Sequence, residues 1–345
     1  MKYKSKIIGV NNVCAKEDLL LFLKDNAIYL NDKAVYKSDL EVHYLVISGV
    51  YSYIVCAGEI LRSVVFDRNG TILVEGSFGV QNVHQKNLYI RQNRKGKKIS
   101  FNKELMWELN ESFFQPHIHN NRFYCKKDSY YDLFCIDDNT GQKIWHFCSY
   151  PNYDYILEES IGVFRKEKND IVSIIVEYNG LLWISLVTGI LVAIDIISGK
   201  EKFILTKPIN YKGEYEYRYT GYAKYDSNTN QLFGSYGNQY WELDLADPER
   251  TFLCYDLSQT MKEHGVDSIT CKAWDGKDRI FFGDTGDNYK IGIFSRSQKT
   301  ITWSYAIKEL RGDSWMSIRQ VEYGAGRLYV RDKFNVLHIF EDEEF

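Results

Sequence analysis

A short pattern of strand, turn and strand recurs along the whole chain, and this repetition constrains the fold more than any other feature. The clearest copy runs from Leu133 to Phe147, where Asp137, Thr140 and Gly141 lie between two apolar segments. Asp and Thr favour turns, and Gly supplies the positive φ that lets a hairpin reverse. Because apolar residues alternate on both sides of the turn, we expect each strand to bury one face.

The second strand of each repeat is the easiest to follow, because it is a run of apolar and aromatic residues. Copies occur at residues 19–23, 52–56, 87–90, 122–125, 181–184, 231–234, 279–282 and 327–330. The spacing averages about 43 residues, which is the length of a four-stranded propeller blade. We therefore predict an all-β chain, a single β-propeller domain over residues 1–345 with eight four-stranded antiparallel blades. Seven blades are the alternative if a short amino-terminal unit is not a true blade.

The two ends of the chain predict how the ring closes. The last repeat, from Ser317 to Glu341, contains three strands, whereas Tyr3 to Ile8 form a strand that has no repeat of its own. Pairing this strand with the last repeat completes the final blade. A radial arrangement of sheets leaves only short, protected edges, which prevents strands from pairing between molecules.

Composition agrees with a strand-rich globular protein and excludes several classes. The chain has 27 Tyr and 19 Phe, residues that favour strands. Its net charge of −3 argues against a nucleic-acid partner, which would require a basic surface. No apolar run approaches the ~20 residues of a membrane span, and no signal peptide is visible. We therefore expect a protein with no membrane partner and no nucleic-acid partner.

Cysteine usage and helical pattern complete the outline. Seven cysteines are scattered without a Cys-x-x-Cys motif, which indicates reduced thiols and a cytoplasmic location. Only two short segments, Leu257 to His264 and Ile307 to Leu310, have helical character, and both lie between repeats. We expect the protein to be a monomer on its own and to carry no cofactor.

The segment from Leu133 to Phe147 resembles the repeat of pyrroloquinoline-quinone-type propellers, whose blades end in a Leu-Asp-x-x-Thr-Gly-Lys-x-x-Trp pattern. The residues that match nearly position for position are Asp137, Thr140, Gly141, Lys143 and Trp145. A second, less complete match contains Asp195, Ser198, Gly199 and Lys200. The resemblance implies blade architecture only, because the quinone-dependent enzymes of that family use adjacent cysteines, which are absent here. The architecture also resembles that of WD40 propellers, without their repeated Gly-His or Trp-Asp pairs.

A pair of histidines is the best candidate for chemistry. His117 and His119 lie in the predicted first strand of blade four, and a spacing of two places both rings on one face of that strand. Such a pair can contribute to a Zn²⁺ or Fe²⁺ site, but a third ligand is needed and the sequence marks none. The alternative is that both rings are hydrogen-bonded or solvated. An enzyme or a metal-binding or small-ligand-binding propeller that uses the central channel around these histidines is therefore the alternative function.

Two further segments each have two interpretations. The acidic run from Asp284 to Asn288 resembles a calcium loop, but it falls where blade seven needs a hairpin turn, and we expect the turn. The basic run from Arg91 to Lys98 could bind phosphate groups, but we expect it to be the solvated tip of a hairpin in blade three.

The connections between blades carry the functional hypothesis. Four of them, residues 149–160, 206–217, 256–268 and 306–316, are long, and each joins a fourth strand to the next first strand, so that all emerge on one face. Loops on a rigid scaffold commonly carry function, and Tyr and Trp favour protein interfaces. The partner-binding candidates are Tyr153, Tyr155, Tyr211, Tyr215, Tyr217, Tyr219 and Trp315.

These candidates define the leading hypothesis and its alternative. We expect a non-enzymatic scaffold that binds another protein through this face, and an immunity-type inhibitor of a delivered toxin is one such role. The alternative for the tyrosines is that they pack against the blades as loop anchors.

Overall fold

The computed structural model describes residues 1–57, 61–127, 130–150, 152–153, 155–160, 163–206, 208, 223–284, 289–310 and 317–342. For residues 155–160, 163–167 and 236 it describes the backbone only. Within this part of the chain, the strands form eight four-stranded sheets and one separate two-stranded hairpin. The eight-bladed, all-β propeller predicted from the repeat is confirmed, and the seven-bladed alternative is not needed.

Strand β1 (Lys2–Ile8) precedes the first blade. Blade one contains β2 (Val10–Lys16), β3 (Leu19–Lys24), β4 (Ala27–Leu30) and β5 (Lys33–Lys37). Blade two contains β6 (Val42–Ser48), β7 (Tyr51–Cys56), β8 (Arg62–Phe66) and β9 (Ile72–Gly76). Blade three contains β10 (Gly79–His84), β11 (Asn87–Gln92), β12 (Lys95–Ser100) and β13 (Leu105–Leu109). Blade four contains β14 (Phe114–His119), β15 (Arg122–Lys126), β16 (Asp132–Asp137) and β17 (Lys143–Cys148).

An extra hairpin, β18 (Tyr155–Ser160) and β19 (Val163–Glu167), follows blade four. Blade five contains β20 (Ile171–Tyr178), β21 (Leu181–Leu186), β22 (Leu191–Asp195) and β23 (Glu201–Leu205). Blade six contains β24 (Lys224–Asp226), β25 (Gln231–Tyr236), β26 (Gln239–Asp244) and β27 (Phe252–Asp256). Blade seven contains β28 (Thr270–Trp274), β29 (Arg279–Gly283), β30 (Lys290–Ser295) and β31 (Thr300–Ala306). Blade eight contains β32 (Ile318–Gly324), β33 (Arg327–Asp332) and β34 (Val336–Glu341), and its fourth strand is β1.

The predicted closure is present. Strand β1 pairs antiparallel with β34, from Lys2 opposite Glu341 to Ile8 opposite Val336. The backbone N–H of Val10 then donates a 2.8 Å hydrogen bond to Asn335 O, so the chain passes directly from blade eight into blade one. Because the first strand completes the last sheet, the two ends of the chain hold each other in place.

In the described part of the chain, helical structure lies only in the connections, as predicted. Helix α1 (Ser258–His264) follows blade six and ends at Gly265, which has a left-handed φ of 57°. A short 3₁₀ helix (Lys308–Leu310) follows blade seven. None of the helices in the described part of the chain has the length and apolar character needed to cross a membrane.

The connection after blade four differs from the prediction. The sequence pattern places its end at Ser160, whereas the structure begins blade five only at Ile171 and inserts the β18–β19 hairpin before it. A strand pattern of alternating residues does not distinguish a blade strand from an inserted strand, because both have the same period.

By its internal contacts the chain divides into two compact units, residues 1–83, 236–240 and 256–345, and residues 84–235 and 241–255. In the first unit, apolar clusters fill the spaces between adjacent blades, such as Val10, Phe22 and Leu337 between blades one and eight. In the second unit, Tyr124, Trp145 and Ile184 belong to a cluster between blades four and five. Within each unit the core thus lies between the blades.

The turn of the clearest repeat forms as its residues predict. Asp137 Oδ1 accepts hydrogen bonds from Thr140 N (2.8 Å), Thr140 Oγ1 (3.0 Å) and Asn139 N (3.0 Å). The backbone N–H of Thr140 is the main cause of a lowered pKa at Asp137. Gly141 follows with a φ of +73°, which an L-residue rarely adopts. The Asp-x-x-Thr-Gly pattern is therefore a structural feature of the blade.

Candidate functional site

The structure describes only part of the predicted partner-binding set. Tyr153 is half-buried and packs against the apolar cluster between blades four and five. Burial and the nearby carboxylate of Glu201 raise the pKa of its phenol. Tyr155 begins β18, where only the backbone is described. The other candidates, Tyr211, Tyr215, Tyr217, Tyr219 and Trp315, lie outside the described residues. The role of these residues in binding stays a prediction.

A group of three tyrosines and one lysine lies next to Tyr153, and the sequence analysis did not identify it. It consists of Tyr130, Tyr131, Tyr150 and Lys168, and we call it the blade-four tyrosine cluster. Tyr130 and Tyr131 lie in the loop between β15 and β16, Tyr150 follows β17, and Lys168 precedes β20. The exposed fraction is 50% for Tyr130 and 43% for Tyr150. Large aromatic rings are therefore available to a partner at this end of the blade.

A lysine joins two of these rings. The Nζ atom of Lys168 lies 4.4 Å from the centroid of the Tyr131 ring and 4.9 Å from that of Tyr150. It also donates a 3.3 Å hydrogen bond to the Tyr131 hydroxyl, which is the main reason that the pKa of Lys168 is raised. The ring centroids of Tyr131 and Tyr150 are 6.0 Å apart, in a tilted arrangement. Cation–π contacts of this kind orient rings even at exposed sites.

Backbone hydrogen bonds fix the base of the cluster. Ser149 N donates to Tyr131 O (3.0 Å), and Ile171 N donates to Tyr130 O (2.9 Å). The buried hydroxyl of Ser149 donates to Asn169 O (2.6 Å), and Asn169 in turn donates its side-chain amide to Thr188 Oγ1 (2.6 Å). The loop, the end of β17 and the start of blade five are thus tied together beneath the exposed rings.

The reason that the cluster was missed is topological. Only fourth-to-first-strand connections were considered, but consecutive antiparallel strands reverse direction, so the loop between the second and third strands emerges at the same end of the blade. The adjacent Tyr130 and Tyr131, in a loop where turn residues are typical, are the signal that could have revealed it.

The histidine pair lies where it was predicted, on the first strand of blade four. His117 is half-buried, and burial followed by the proximity of His119 lowers its pKa. Beside the pair, Tyr124 Oη donates a 2.6 Å hydrogen bond to Glu177 Oε2, and Glu177 Oε1 lies 3.8 Å from His119 Nε2. Among the described residues, no three His, Cys, Asp or Glu side chains are grouped so that they could hold a metal ion. The structure therefore shows a buried Tyr124–Glu177 pair beside the two histidines.

The basic run of blade three forms a hairpin, as predicted. The prediction that the run is solvated is wrong for Lys98. The turn lies at Asn93 and Arg94, both with positive φ. Lys98 is only 3% exposed, and its Nζ donates to Asp138 Oδ2 (2.7 Å) in the turn of blade four. The side chain of the preceding residue, Lys97, is partly exposed, and the alternation of the strand turns Lys98 toward the adjacent blade.

The acidic run of blade seven is described only at its first residue. Asp284 is buried and accepts hydrogen bonds from the backbone of Asp267 (3.3 Å) and Ser268 (3.1 Å). Its carboxylate therefore fixes the connection that follows helix α1. Residues 285–288 lie outside the described residues.

Comparison with known proteins shows the fold and no closer relationship. No protein-family model and no curated protein matches the chain. Among solved structures, the C-terminal WD40 domain of Sif2 aligns with a TM-score of 0.65 at 11% identity, covering 99% of this chain and 98% of that one. BamB from Moraxella catarrhalis aligns with a TM-score of 0.58 at 11% identity, covering 99% of each chain. A chain of the mitotic checkpoint complex aligns with a TM-score of 0.54 at 10% identity, covering 99% and 95%.

These likenesses define the class. The chain is an eight-bladed β-propeller that is structurally similar both to a pyrroloquinoline-quinone-like propeller, BamB, and to WD40 propellers. At such identities the likeness concerns the fold alone, and the same fold serves many functions.

Proposed function

We propose that this propeller is a non-enzymatic scaffold that binds another protein at the end of blade four, through the blade-four tyrosine cluster and the connection that contains Tyr153 and Tyr155. The observation that carries the proposal is the set of exposed rings held by Lys168 on a hydrogen-bonded base. Tyrosine provides a large contact area and loses little conformational entropy on binding. Rings that are already oriented lose still less.

The chemistry of this surface indicates the kind of partner. Positive charges accompany the aromatic groups: Lys168 Nζ lies 4.4 Å from the Tyr131 ring centroid, and Arg91 lies 4.9 Å from that of Phe114. The Phe114 and Tyr130 rings are themselves stacked, with centroids 6.1 Å apart. A partner surface with acidic groups around an apolar centre would complement this arrangement.

The remaining candidates of the long connections, Tyr211, Tyr215, Tyr217, Tyr219 and Trp315, lie outside the described residues and stay predicted partner-binding residues. An immunity-type inhibitor of a delivered toxin, acting in the cytoplasm, is one role that such an interface would serve. A scaffold can inhibit a toxin by binding it, without a catalytic group of its own.

Two of the cysteines, Cys14 and Cys135, are poorly suited to act as nucleophiles. Burial raises the pKa of Cys14 to about 11 and that of Cys135 to about 12. Both thiols therefore stay protonated at neutral pH, and the protonated form is a poor nucleophile.

The rival function is an enzyme or a metal-binding or small-ligand-binding propeller that uses His117 and His119. The Tyr124–Glu177 hydrogen bond beside them is the observation that favours it. Purification of the tagged protein from its native host, followed by mass spectrometry and metal analysis, separates the two functions. A stoichiometric protein partner supports the scaffold, whereas stoichiometric metal with no protein partner supports the rival.

A further inference from the structure

A partly open cavity of about 210 Å³ lies where blades three and four meet. Its apolar wall is formed by Phe113 from the connection between the blades, Cys125 at the end of β15, and Phe134 and Ile136 on β16. Phe134 and Ile136 point to the same side of β16 because they are two residues apart. The wall is firmly held: Gly96 leaves the space that the Phe113 ring fills, and its N–H donates to Glu111 O (2.8 Å).

The size of the cavity limits its occupant. An apolar cavity of ~150 Å³ is large enough to bind benzene. A cavity of about 210 Å³ therefore has room for one six-membered ring and a small substituent, and a larger ligand would extend through its opening.

The lining includes three lysines with different partners. Lys126 Nζ donates a 2.7 Å hydrogen bond to Ile171 O. Lys127 Nζ forms an ion pair with Glu111 Oε2 at 2.5 Å. Lys143 Nζ lies 4.5 Å from the centroid of the Phe134 ring, and no carboxylate pairs with it among the residues that the structure describes. The ammonium group of Lys143 is thus a positive charge, uncompensated by a carboxylate there, held over an aromatic wall of the cavity.

A buried hydroxyl in the lining also lacks a partner. Ser112 is 4% exposed, and its Oγ has no hydrogen-bond partner within the described part of the chain. A buried hydroxyl is normally satisfied, and leaving one unpaired destabilises the protein. Rotation about the Cα–Cβ bond allows this hydroxyl to serve a ligand in the cavity.

We propose that this cavity binds a small organic acid with one ring and one carboxylate. The ring packs between Phe113, Phe134 and Ile136, the carboxylate is drawn to Lys143, and the Ser112 hydroxyl donates a hydrogen bond to a carboxylate oxygen. None of the four residues of the blade-four tyrosine cluster lines the cavity, so the failure of either proposal leaves the other standing.

Fluorine NMR titration with three probes of the same shape tests the charge preference. The probes are para-fluorobenzoate, the neutral para-fluorobenzamide and the cationic para-fluorobenzylamine. We expect the acid to bind about tenfold more tightly than the amide, as a charge-assisted hydrogen bond provides, and the amine to bind least. Equal binding of acid and amide, or no binding of the acid up to about 10 mM, would overturn the proposal.

Substitutions locate the binding. Lys143→Gln should weaken binding of the acid about tenfold and leave binding of the amide unchanged, and Ser112→Ala should weaken binding of the acid about threefold. The control is Lys200→Gln, an exposed lysine beside the corresponding turn of blade five, which should have no effect. Thermal unfolding of each variant verifies that it is folded. If Lys143→Gln and Lys200→Gln behave alike, the assignment of the carboxylate to Lys143 is overturned.

A last probe distinguishes the source of the acid. The carboxyl-terminal phenylalanine of another protein also combines a ring with a carboxylate, but two carbon atoms separate these groups, so the carboxylate lies farther from the ring than in para-fluorobenzoate. N-acetyl-para-fluorophenylalanine should therefore bind more weakly than para-fluorobenzoate. Tighter binding of the amino-acid probe would overturn the assignment to a free acid.

Discussion

The indole nitrogen of Trp107, on the fourth strand of blade three, donates a 2.9 Å hydrogen bond to the carbonyl oxygen of Asp138, in the turn of blade four. The same relationship recurs one blade further on, where Trp145 Nε1 donates to Ile196 O at 2.8 Å. In both cases, the Trp on the fourth strand of one blade donates a hydrogen bond to the turn before the fourth strand of the next blade. The Trp and the turn of the repeat pattern therefore form one contact between neighbouring blades.

The first prediction concerns this hydrogen bond. Trp107→Phe removes the N–H donor and leaves a buried carbonyl with one partner fewer, which should lower the free energy of unfolding by about 1 kcal/mol. Trp183→Phe is the matched control, because the Trp183 side chain is equally buried but its Nε1 has no partner among the described residues. Denaturant unfolding of both variants measures the difference. Equal stability of the two variants would mean that the bond between blades contributes nothing.

The second prediction separates two reasons for a glycine. Gly141 has a positive φ of 73°, and a Cβ there would also lie 2.7 Å from Trp107 Cβ. Gly180 has a similar φ of 76°, but nothing lies within 4 Å of an added Cβ. Gly141→Ala should therefore be at least about 1 kcal/mol more destabilising than Gly180→Ala. If both substitutions lower the melting temperature equally, φ alone explains the glycine and the close approach of Trp107 does not matter.

The third prediction is a pH dependence. Lys126 is 3% exposed, its Nζ donates to Ile171 O (2.7 Å), and burial lowers its pKa to about 8 from 10.5. Between these two values the unfolded chain holds the proton and the folded protein releases it, so stability should rise as the pH rises from about 8 toward 10. Lys126→Met removes this titration. Between pH 8 and 10, the free energy of unfolding of the wild type should rise by about 1–2 kcal/mol relative to that of the variant.

The control for this experiment is Lys200→Met, which replaces an exposed lysine and should keep the pH profile of the wild type. Parallel profiles for the wild type and Lys126→Met would contradict a lowered pKa at Lys126.

Local chemistry explains why the blades could be predicted. The second strands of all eight repeats are found in β3, β7, β11, β15, β21, β25, β29 and β33. Turn residues and alternation act over a few neighbours, so the sequence pattern records them directly. Closure by β1 followed from counting strands in the last repeat.

The contacts that could not be predicted depend on distant residues. The partner of Lys98 is Asp138, forty residues away, and no local pattern identifies it. Likewise, Lys168 contacts Tyr131, which lies 37 residues earlier in the chain, and no local pattern links the two. The exposed tyrosines beside the connection after blade four were therefore identified only from the structure.

The last prediction concerns the blade-four tyrosine cluster. In the double variant Tyr131→Ala/Tyr150→Ala, both rings that contact Lys168 are lost, and the affinity for the protein partner should fall by at least about 2 kcal/mol, or roughly thirtyfold. The control is Ile204→Ala, which shortens an exposed apolar side chain on the outer strand of blade five. It should bind as the wild type does.

The most direct test of the account is the affinity of these three proteins for the partner recovered from the native host, measured by titration calorimetry. The account predicts that the dissociation constant is roughly thirtyfold larger for the folded double variant and unchanged for Ile204→Ala. Equal affinities for the wild type and the folded double variant would contradict the claim that this cluster is where the propeller binds its partner.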